Sequence, residues 1–148
     1  MSRDDRPQPG ETIKPKKPAR VQFTSMVLQL EAFVVLFAGM ALHGLQGTGF
    51  GLGVLRLASV VPMWIFTGLL CVVLLVLSRT MGRPGSYMAG SVVQVPVLAM
   101  GLLLPMMFFV GAVFVTLWVV SLRLGARIDR ERAEYDEEHP ETAPNLDA

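Results

Sequence analysis

The chain has 148 residues and a net charge of +1, with 52% apolar and 17% charged residues. This length suits one domain, and the balanced charge does not favour binding of nucleic acid. The single cysteine, Cys71, excludes an intrachain disulfide and a metal site built from cysteine pairs. The charges are unevenly placed, since Glu31 is the only acidic residue between Thr12 and Ile128. Polar ends around an apolar middle indicate an integral membrane protein.

The N-terminal tail, residues 1–23, is rich in proline and in charged residues, which predicts disorder. Its basic part, KPKKPAR, lies next to an apolar run, so contact with anionic lipid is favoured over binding of nucleic acid. The polar region is too long for the start of a secretory signal peptide, and the apolar run after it exceeds a typical signal core. We therefore expect a polar tail in front of the first span.

Three apolar runs follow this tail, and they predict an all-α fold, an integral membrane four-helix bundle. The first two runs are each long enough to cross a bilayer core of about 30 Å. The third, residues 86–122, would reach roughly 55 Å as one straight helix, so we expect two spans there. Proline favours a helix start and disfavours helix in the residue before it, so the break is expected near Gly101 and Pro105. The predicted spans are about 24–45, 57–78, 86–103 and 105–122.

The distribution of lysine and arginine favours four spans over three. If the chain crosses four times, every lysine and arginine except Arg56 lies on one side of the membrane. Such residues accumulate on the cytoplasmic side. With three spans the arginines after the last run would lie outside, against this rule. The sequence therefore predicts a multi-pass protein of the cell (inner) membrane with both termini in the cytoplasm.

The C-terminal tail, residues 127–148, is charged, and we expect its first part to be helical. Arg127 with Glu131, and Arg130 with Glu134, are spaced as i,i+4 pairs, which add tenths of a kcal/mol each. The end of the tail is acidic and contains proline, which predicts disorder. A solvated tail is the simpler interpretation, and a docking peptide is the alternative.

The outer loop HGLQGTGFGLGV is rich in glycine. Its spacing never gives GxGxxG, no lysine follows, and its predicted side is extracytoplasmic, so a nucleotide loop is not expected. A flexible turn is favoured, with a short re-entrant segment as the alternative.

Counting residues from the span ends places several polar groups at one level of the bundle. Glu31 lies about 10 Å and Gln94 about 12 Å from the cytoplasmic face, at about 1.5 Å per residue. Thr116 and Cys71 also lie about 10 Å deep. A carboxylate at such depth should face the bundle and find a partner. Gln94 can donate a hydrogen bond to it, Arg79 at the inner end of its span can reach toward it, and Glu31 is otherwise expected to carry a proton.

This predicted polar layer has three interpretations. Glu31 is a proton or cation site of a transporter, a binding group for an arginine of a partner, or a structural contact hydrogen-bonded to Gln94. A proton path needs polar groups across the outer half of the membrane, and a second carboxylate to receive the proton is missing from the spans. We therefore favour an interface or structural role.

The methionines and histidines of the chain give only weak signals for a metal site or a catalytic site. The predicted outer half holds five methionines near His43, a combination that can bind Cu(I). No MxxxM pair lies on one helix face, so methionine as core filler is favoured. His43 and His139 lie on opposite sides of the membrane, and no catalytic arrangement can be drawn. We expect no metal, no cofactor and no enzymatic activity.

Two stretches resemble a family of short actinobacterial membrane proteins of unknown function, DUF4233. They are LEAFVVLFAGMALHGL and GRPGSYMAGSVVQVPVLAMGLLLPMMFFVGAVFVTLWVVSLRLGARID. The resemblance covers about residues 21–129, and its marks are Glu31, Gln94, Pro105, Trp118 and the arginine that follows the fourth span. Family members are often encoded beside folylpolyglutamate synthase. The resemblance implies an actinobacterial inner membrane and four spans, and it carries over no catalytic residue.

These observations favour an accessory or scaffolding subunit in the lipid bilayer. Its partner would be another membrane protein, or a cytoplasmic enzyme docked to the charged ends. The alternative is a small homo-oligomeric transporter or channel that uses the Glu31 layer.

Overall fold

The computed structural model describes residues 12–48 and 59–145, and in these residues the only regular structure is helical. This confirms the predicted all-α class. Half of the stretch HGLQGTGFGLGV, residues 49–54, and the outermost parts of both tails lie outside the described residues. The helices are α1 (Ala19–Leu45), α2 (Val60–Thr80), α3 (Ser86–Ala99), a short 3-10 turn (Met100–Leu102) and α4 (Met106–Glu138).

Neighbouring helices run antiparallel and form a ring. α1 packs against α2 and α4, and α3 packs against the same two helices. Along α1 and α2 the contacts run in opposite senses, from Ala32 with Cys71 to His43 with Trp64. The start of α1 is hydrogen-bonded to Asp129 in the C-terminal part of α4, so these two segments lie at the same end of the bundle.

The bundle has several polar side chains buried within its apolar core, and it exposes many large apolar side chains. Its buried polar residues are Thr24, Glu31, Thr67, Ser78, Ser86, Gln94 and Ser121. Exposed apolar residues lie on every helix, among them Phe33, Phe37, Ile65, Leu69, Met88, Val92, Val95 and Phe109. A soluble fold would reverse this arrangement, whereas a bilayer solvates exposed apolar side chains without cost.

Three helices, α1, α2 and α4, are long and apolar enough to cross a membrane, judged by length and composition. α3 with its 3-10 turn, Ser86–Leu102, is a shorter apolar helix. At about 1.5 Å per residue it reaches about 25 Å, a few ångströms less than a typical hydrocarbon core. The chain is thus a helical membrane bundle with three long apolar helices and a fourth, shorter one.

Local chemistry explains the two tight connections. Gly82 and Gly85 turn the chain between α2 and α3, with φ angles of 96° and 80° that other residues rarely adopt. Between α3 and α4 the helix breaks at the 3-10 turn, and Pro105 precedes the first residue of α4. The break lies where the proline predicted it. Phe108 packs directly over Gly101, where a Cβ atom would overlap the ring.

The start of α1 differs from the prediction, since the helix begins at Ala19 rather than at residue 24. α4 continues without a break from the membrane part to Glu138, in agreement with the helical first part expected for the C-terminal tail. Residues 12–18 have no regular structure but run beside the end of α4. The earlier start of α1 has a physical cause in α4, described below.

Candidate functional site

Glu31 and Gln94 meet inside the bundle. Nε2 of Gln94 donates a hydrogen bond of 2.8 Å to Oε2 of Glu31. Glu31 is 0% exposed and Gln94 is 5% exposed. The two residues belong to α1 and α3, which lie diagonally opposite in the ring, so the bond crosses its centre. The hydrogen bond that the sequence predicted is therefore present, and it lies on the bundle axis.

Helical spacing places both side chains inward. On α1 the buried positions Thr24, Leu28, Glu31 and Val35 recur every three or four residues, which is the repeat of one helix face. On α3, Gln94 lies beside the buried Val93 and Val97. The carboxyl and the amide are thus held on apolar faces that pack against other helices.

Two of the four polar side-chain atoms of this pair have no hydrogen-bond partner. Oε1 of Glu31 and Oε1 of Gln94 are both buried, and neither has a hydrogen-bond partner. Both atoms are acceptors in an ionised carboxylate and a carboxamide. A buried polar atom without a partner is costly, so these two oxygens mark the least satisfied point among the polar contacts of the bundle interior.

Cys71 lies at the same level, on α2. Its Sγ donates to the carbonyl oxygen of Ala32 at 3.3 Å, and the residue is half-buried. Cys71 thus contacts the residue that follows Glu31, as the depth estimate predicted, but its hydrogen bond goes to the backbone and not to the carboxyl group.

Thr116 and Arg79 are not part of the Glu31 contact. Thr116 is exposed on α4, and its hydroxyl donates to the carbonyl of Ala112 at 2.9 Å. Arg79 is exposed, and the inward position at the end of α2 is taken by Ser78. The prediction of a shared layer was wrong for these two because it counted depth along the membrane. Each residue also turns by about 100° around a helix.

Trp118 forms a second contact between α3 and α4. Its Nε1 donates to Oγ of Ser91 at 3.0 Å, and the buried ring lies on Gly90. A Cβ atom at Gly90 would overlap the ring. The indole ring thus packs inside the bundle, between α3 and α4.

The start of α1 is capped by a residue of α4. The carboxylate of Asp129 accepts hydrogen bonds from the backbone N–H groups of Ala19 at 2.6 Å and of Arg20 at 3.1 Å. Pro18, which precedes the helix, has no side-chain acceptor, and the first turn of α1 contains no acidic residue. An aspartate is a favoured partner for free N–H groups at a helix start. Asp129 therefore explains why α1 begins at Ala19.

The same end of the bundle is closely packed around Arg20. Its backbone lies against Gly125 of α4, where a Cβ atom would overlap the Arg20 Cα. Its guanidinium carbon lies 4.1 Å from the centre of the Tyr87 ring, a cation–π contact. Nε of Arg20 is buried without a hydrogen-bond partner. Three helices thus meet at this residue.

The two tails also pair with each other. The N–H of Ile13 donates to Oδ1 of Asn145 at 2.7 Å, and the N–H of Asn145 donates to the carbonyl of Ile13 at 3.2 Å. Between the N-terminal segment and α4 lies an open cleft of about 890 Å³ lined by both tails. We call the contacts of Ile13, Ala19, Arg20, Asp129 and Asn145 the terminal clasp.

The sequence interpretation missed the terminal clasp. The sequence predicts that Asp129 lies in a solvated helix and that Asn145 lies in a disordered end. One signal was available, since a helix that starts after proline without its own capping side chain needs an acceptor from elsewhere. The partner lies 110 residues away along the chain, so spacing rules could not identify it.

Of the predicted ion pairs in the C-terminal tail one is present, and the five methionines differ in burial. Arg127 Nε contacts Glu131 Oε1 at 2.7 Å, as predicted, whereas no ion pair joins Arg130 to Glu134 within the described residues. The methionines do not converge, since Met63, Met100 and Met107 are buried while Met40 and Met106 are exposed. In residues 12–48 and 59–145 no group of His, Cys, Asp and Glu is arranged to hold a metal ion.

Comparison with known proteins gives a family but no described relative. No curated protein and no solved structure matches the chain. The family described as Protein of unknown function (DUF4233) matches residues 22–134, a range that includes Glu31, Gln94 and Asp129. The chain is a member of this DUF4233 family of unknown function.

Proposed function

We propose that the protein is an accessory or scaffolding subunit of the cell membrane, with four spans and both termini in the cytoplasm. The observation that carries the proposal is the terminal clasp, in which Asp129 caps α1 and Asn145 pairs with Ile13. These contacts hold the charged end of α4 in a fixed position against the bundle. A fixed charged surface at the membrane is suited to binding a partner.

The number of spans and their orientation are supported by two features together. The terminal clasp brings Ile13 and Asn145 together at one end of the bundle, which supports an even number of crossings. That end also carries most of the lysines and arginines, and such residues accumulate on the cytoplasmic side. A reporter fused after Ala148 should therefore be active in the cytoplasm, and activity outside would contradict four spans.

The end of α4 offers a surface of mixed charge. Its exposed charged residues are Arg123, Arg127, Arg130, Glu131, Arg132, Glu134, Glu137 and Glu138. Charges of both signs on a fixed helix favour a protein partner with a complementary pattern. Such a partner is another membrane protein or a cytoplasmic enzyme that docks at the membrane.

The test is purification of the tagged protein from its native membrane in mild detergent, with mass spectrometry of what co-purifies. We expect one stoichiometric partner, and the variant R130E/R132E should release it because two exposed charges are reversed. The swap R127E/E131R keeps the net charge and the i,i+4 pair, so release of the partner by this variant as well would show that the pattern of charges is recognised and not the total charge. A pure homo-oligomer with no partner would contradict the proposal.

A second candidate is a small homo-oligomeric transporter or channel. It is favoured by one observation, the buried carboxyl on the bundle axis with an unpartnered oxygen, since ionisable groups inside membranes often serve transport. The test is proton or solute flux into liposomes that contain the purified protein. Loss of flux in E31Q with retained folding would support transport, and the absence of flux in the wild type would exclude it under those conditions.

A further inference from the structure

We propose that Glu31 and Gln94 together bind one proton and form a closed carboxylic acid–carboxamide pair on the bundle axis. In this pair the carboxyl O–H donates to the amide oxygen, while the amide N–H donates to the carboxyl oxygen. The inference goes beyond the accessory role, and it holds whether or not the protein transports anything.

The first argument is the position of the unpartnered atoms. The amide already donates from Nε2 to Oε2 of Glu31, and the two atoms left without a partner are Oε1 of Glu31 and Oε1 of Gln94. These are the second oxygen of the carboxyl and the oxygen of the same amide. One proton on the carboxyl oxygen supplies the donor that both atoms need. The proton thus satisfies both unpartnered oxygens in one bond.

The second argument is the absence of a compensating cation. Glu31 is the only charged residue between Val21 and Arg56, so α1 supplies none beside it. α3 contains no charged residue, and the charges of α4 begin at Arg123, beyond its apolar part. An ionised carboxylate would thus be buried with a single hydrogen bond and no opposite charge, which is strongly unfavourable.

The third argument concerns the groups that α2 and α4 bring to this level. On α2, the thiol of Cys71 donates to Ala32, and Arg79 is exposed. On α4, Nε1 of Trp118 is already used by Ser91. The hydroxyl of Thr67 on α2 is buried without a partner, but it lies against Gly39, two turns along α1 from Glu31. Within the described residues the amide and a proton are thus what remain for the carboxyl group.

The test is infrared difference spectroscopy of the full-length protein in lipid bilayers at neutral pH. The spectrum of the wild type minus that of E31Q isolates this carboxyl from the glutamates of the tails. We expect the carbonyl band of a protonated acid, shifted in D₂O because the proton exchanges. Carboxylate bands in the difference spectrum would overturn the proposal, since water or a cation would then occupy the site.

Two further variants test the pairing itself. In Q94L the acid band should move to higher frequency, because the carboxyl loses its hydrogen-bond partner; an unchanged band would overturn the pairing. The swap E31Q/Q94E exchanges acid and amide and should keep the protonated band, and its loss would count against a closed pair. E31Q should remain folded, since two amides can also bond reciprocally; its size-exclusion profile provides the check.

Discussion

At the scale of single residues, close helix contacts in this bundle depend on glycine. A Cβ atom at Gly39 would lie 2.6 Å from Cγ2 of Thr67, and one at Gly90 would overlap the ring of Trp118. Helices in a bilayer gain little from burying apolar surface against each other, so close packing and interhelical hydrogen bonds hold them together. The small residues allow a large ring or a branched side chain to lie directly on a neighbouring backbone.

Substitution G90A should destabilise the bundle. The added methyl group overlaps the buried Trp118 ring, which is also fixed by its bond to Ser91, and overpacking of this kind costs about 1–3 kcal/mol. The measurement is equilibrium unfolding in detergent micelles. G68A is the control, because nothing lies within 4 Å of a Cβ atom there, and it should not reduce stability. Equal stabilities for G90A and G68A would show that Trp118 does not lie on Gly90.

Two buried threonines should respond in opposite directions to replacement by valine. Oγ1 of Thr67 is buried without a hydrogen-bond partner, so T67V should be neutral or stabilising by up to about 1 kcal/mol. The hydroxyl of Thr24 donates to the carbonyl of Arg20 at 2.7 Å, so T24V should be destabilising by about 1 kcal/mol or less. The same unfolding experiment measures both, and a clear loss of stability in T67V would indicate that its hydroxyl has a partner.

At the scale of helices, the start of α1 depends on another helix. Its first N–H groups bond to Asp129 of α4, because neither Pro18 nor the first turn provides an acceptor. This capping explains how a helix can begin within a tail whose composition predicts disorder. It also joins the first and last helices at the end of the bundle where both tails lie.

Substitution D129A should loosen the first turn of α1. Loss of a capping side chain costs about 0.5–2 kcal/mol, and the amides of Ala19 and Arg20 would lose their acceptors. Hydrogen exchange followed by mass spectrometry should show faster exchange of these amides, with little change in the middle of α1. E134A is the control, an exposed acidic residue on the same helix. Equal exchange in the two variants would contradict the capping role.

Features that depend on neighbouring residues in the sequence could be predicted, whereas contacts between residues far apart in the sequence mostly could not. The apolar runs located the helices, and Pro105 located the break between α3 and α4, since both signals act within a few residues. Glu31 and Gln94 could be paired because each is polar at a similar depth. Thr116 and Arg79 were placed wrongly because depth does not fix the helix face. Asp129 could not be assigned, since its partners lie far away along the chain.

At the scale of the whole molecule, hydrogen bonds between helices supplement the apolar packing of the bundle, and two sets of them connect α1 to the helices across and beside it. The Glu31–Gln94 pair links α1 to α3 across the bundle axis, and the terminal clasp links α1 to α4 at one end. Outside, apolar side chains face the bilayer. The proposed role as a subunit depends on the terminal clasp, because the clasp holds the charged surface of α4 that a partner would bind.

The most direct test of this account is cysteine cross-linking of the two tails. In a C71S background, cysteines replace Ile13 and Asn145, and inside-out membrane vesicles are treated with a mild oxidant. The backbone hydrogen bond from the N–H of Asn145 to the carbonyl of Ile13 involves neither side chain and is retained in this variant. The control pair, I13C with V61C, lies at opposite ends of the bundle. The account predicts rapid, nearly complete cross-linking of I13C with N145C and none in the control. A further pair, I13C with E134C, gives the rate expected without a specific contact. If residues 13 and 145 cross-link no faster than this pair, the two tails do not pair with each other, and the proposed role loses its basis.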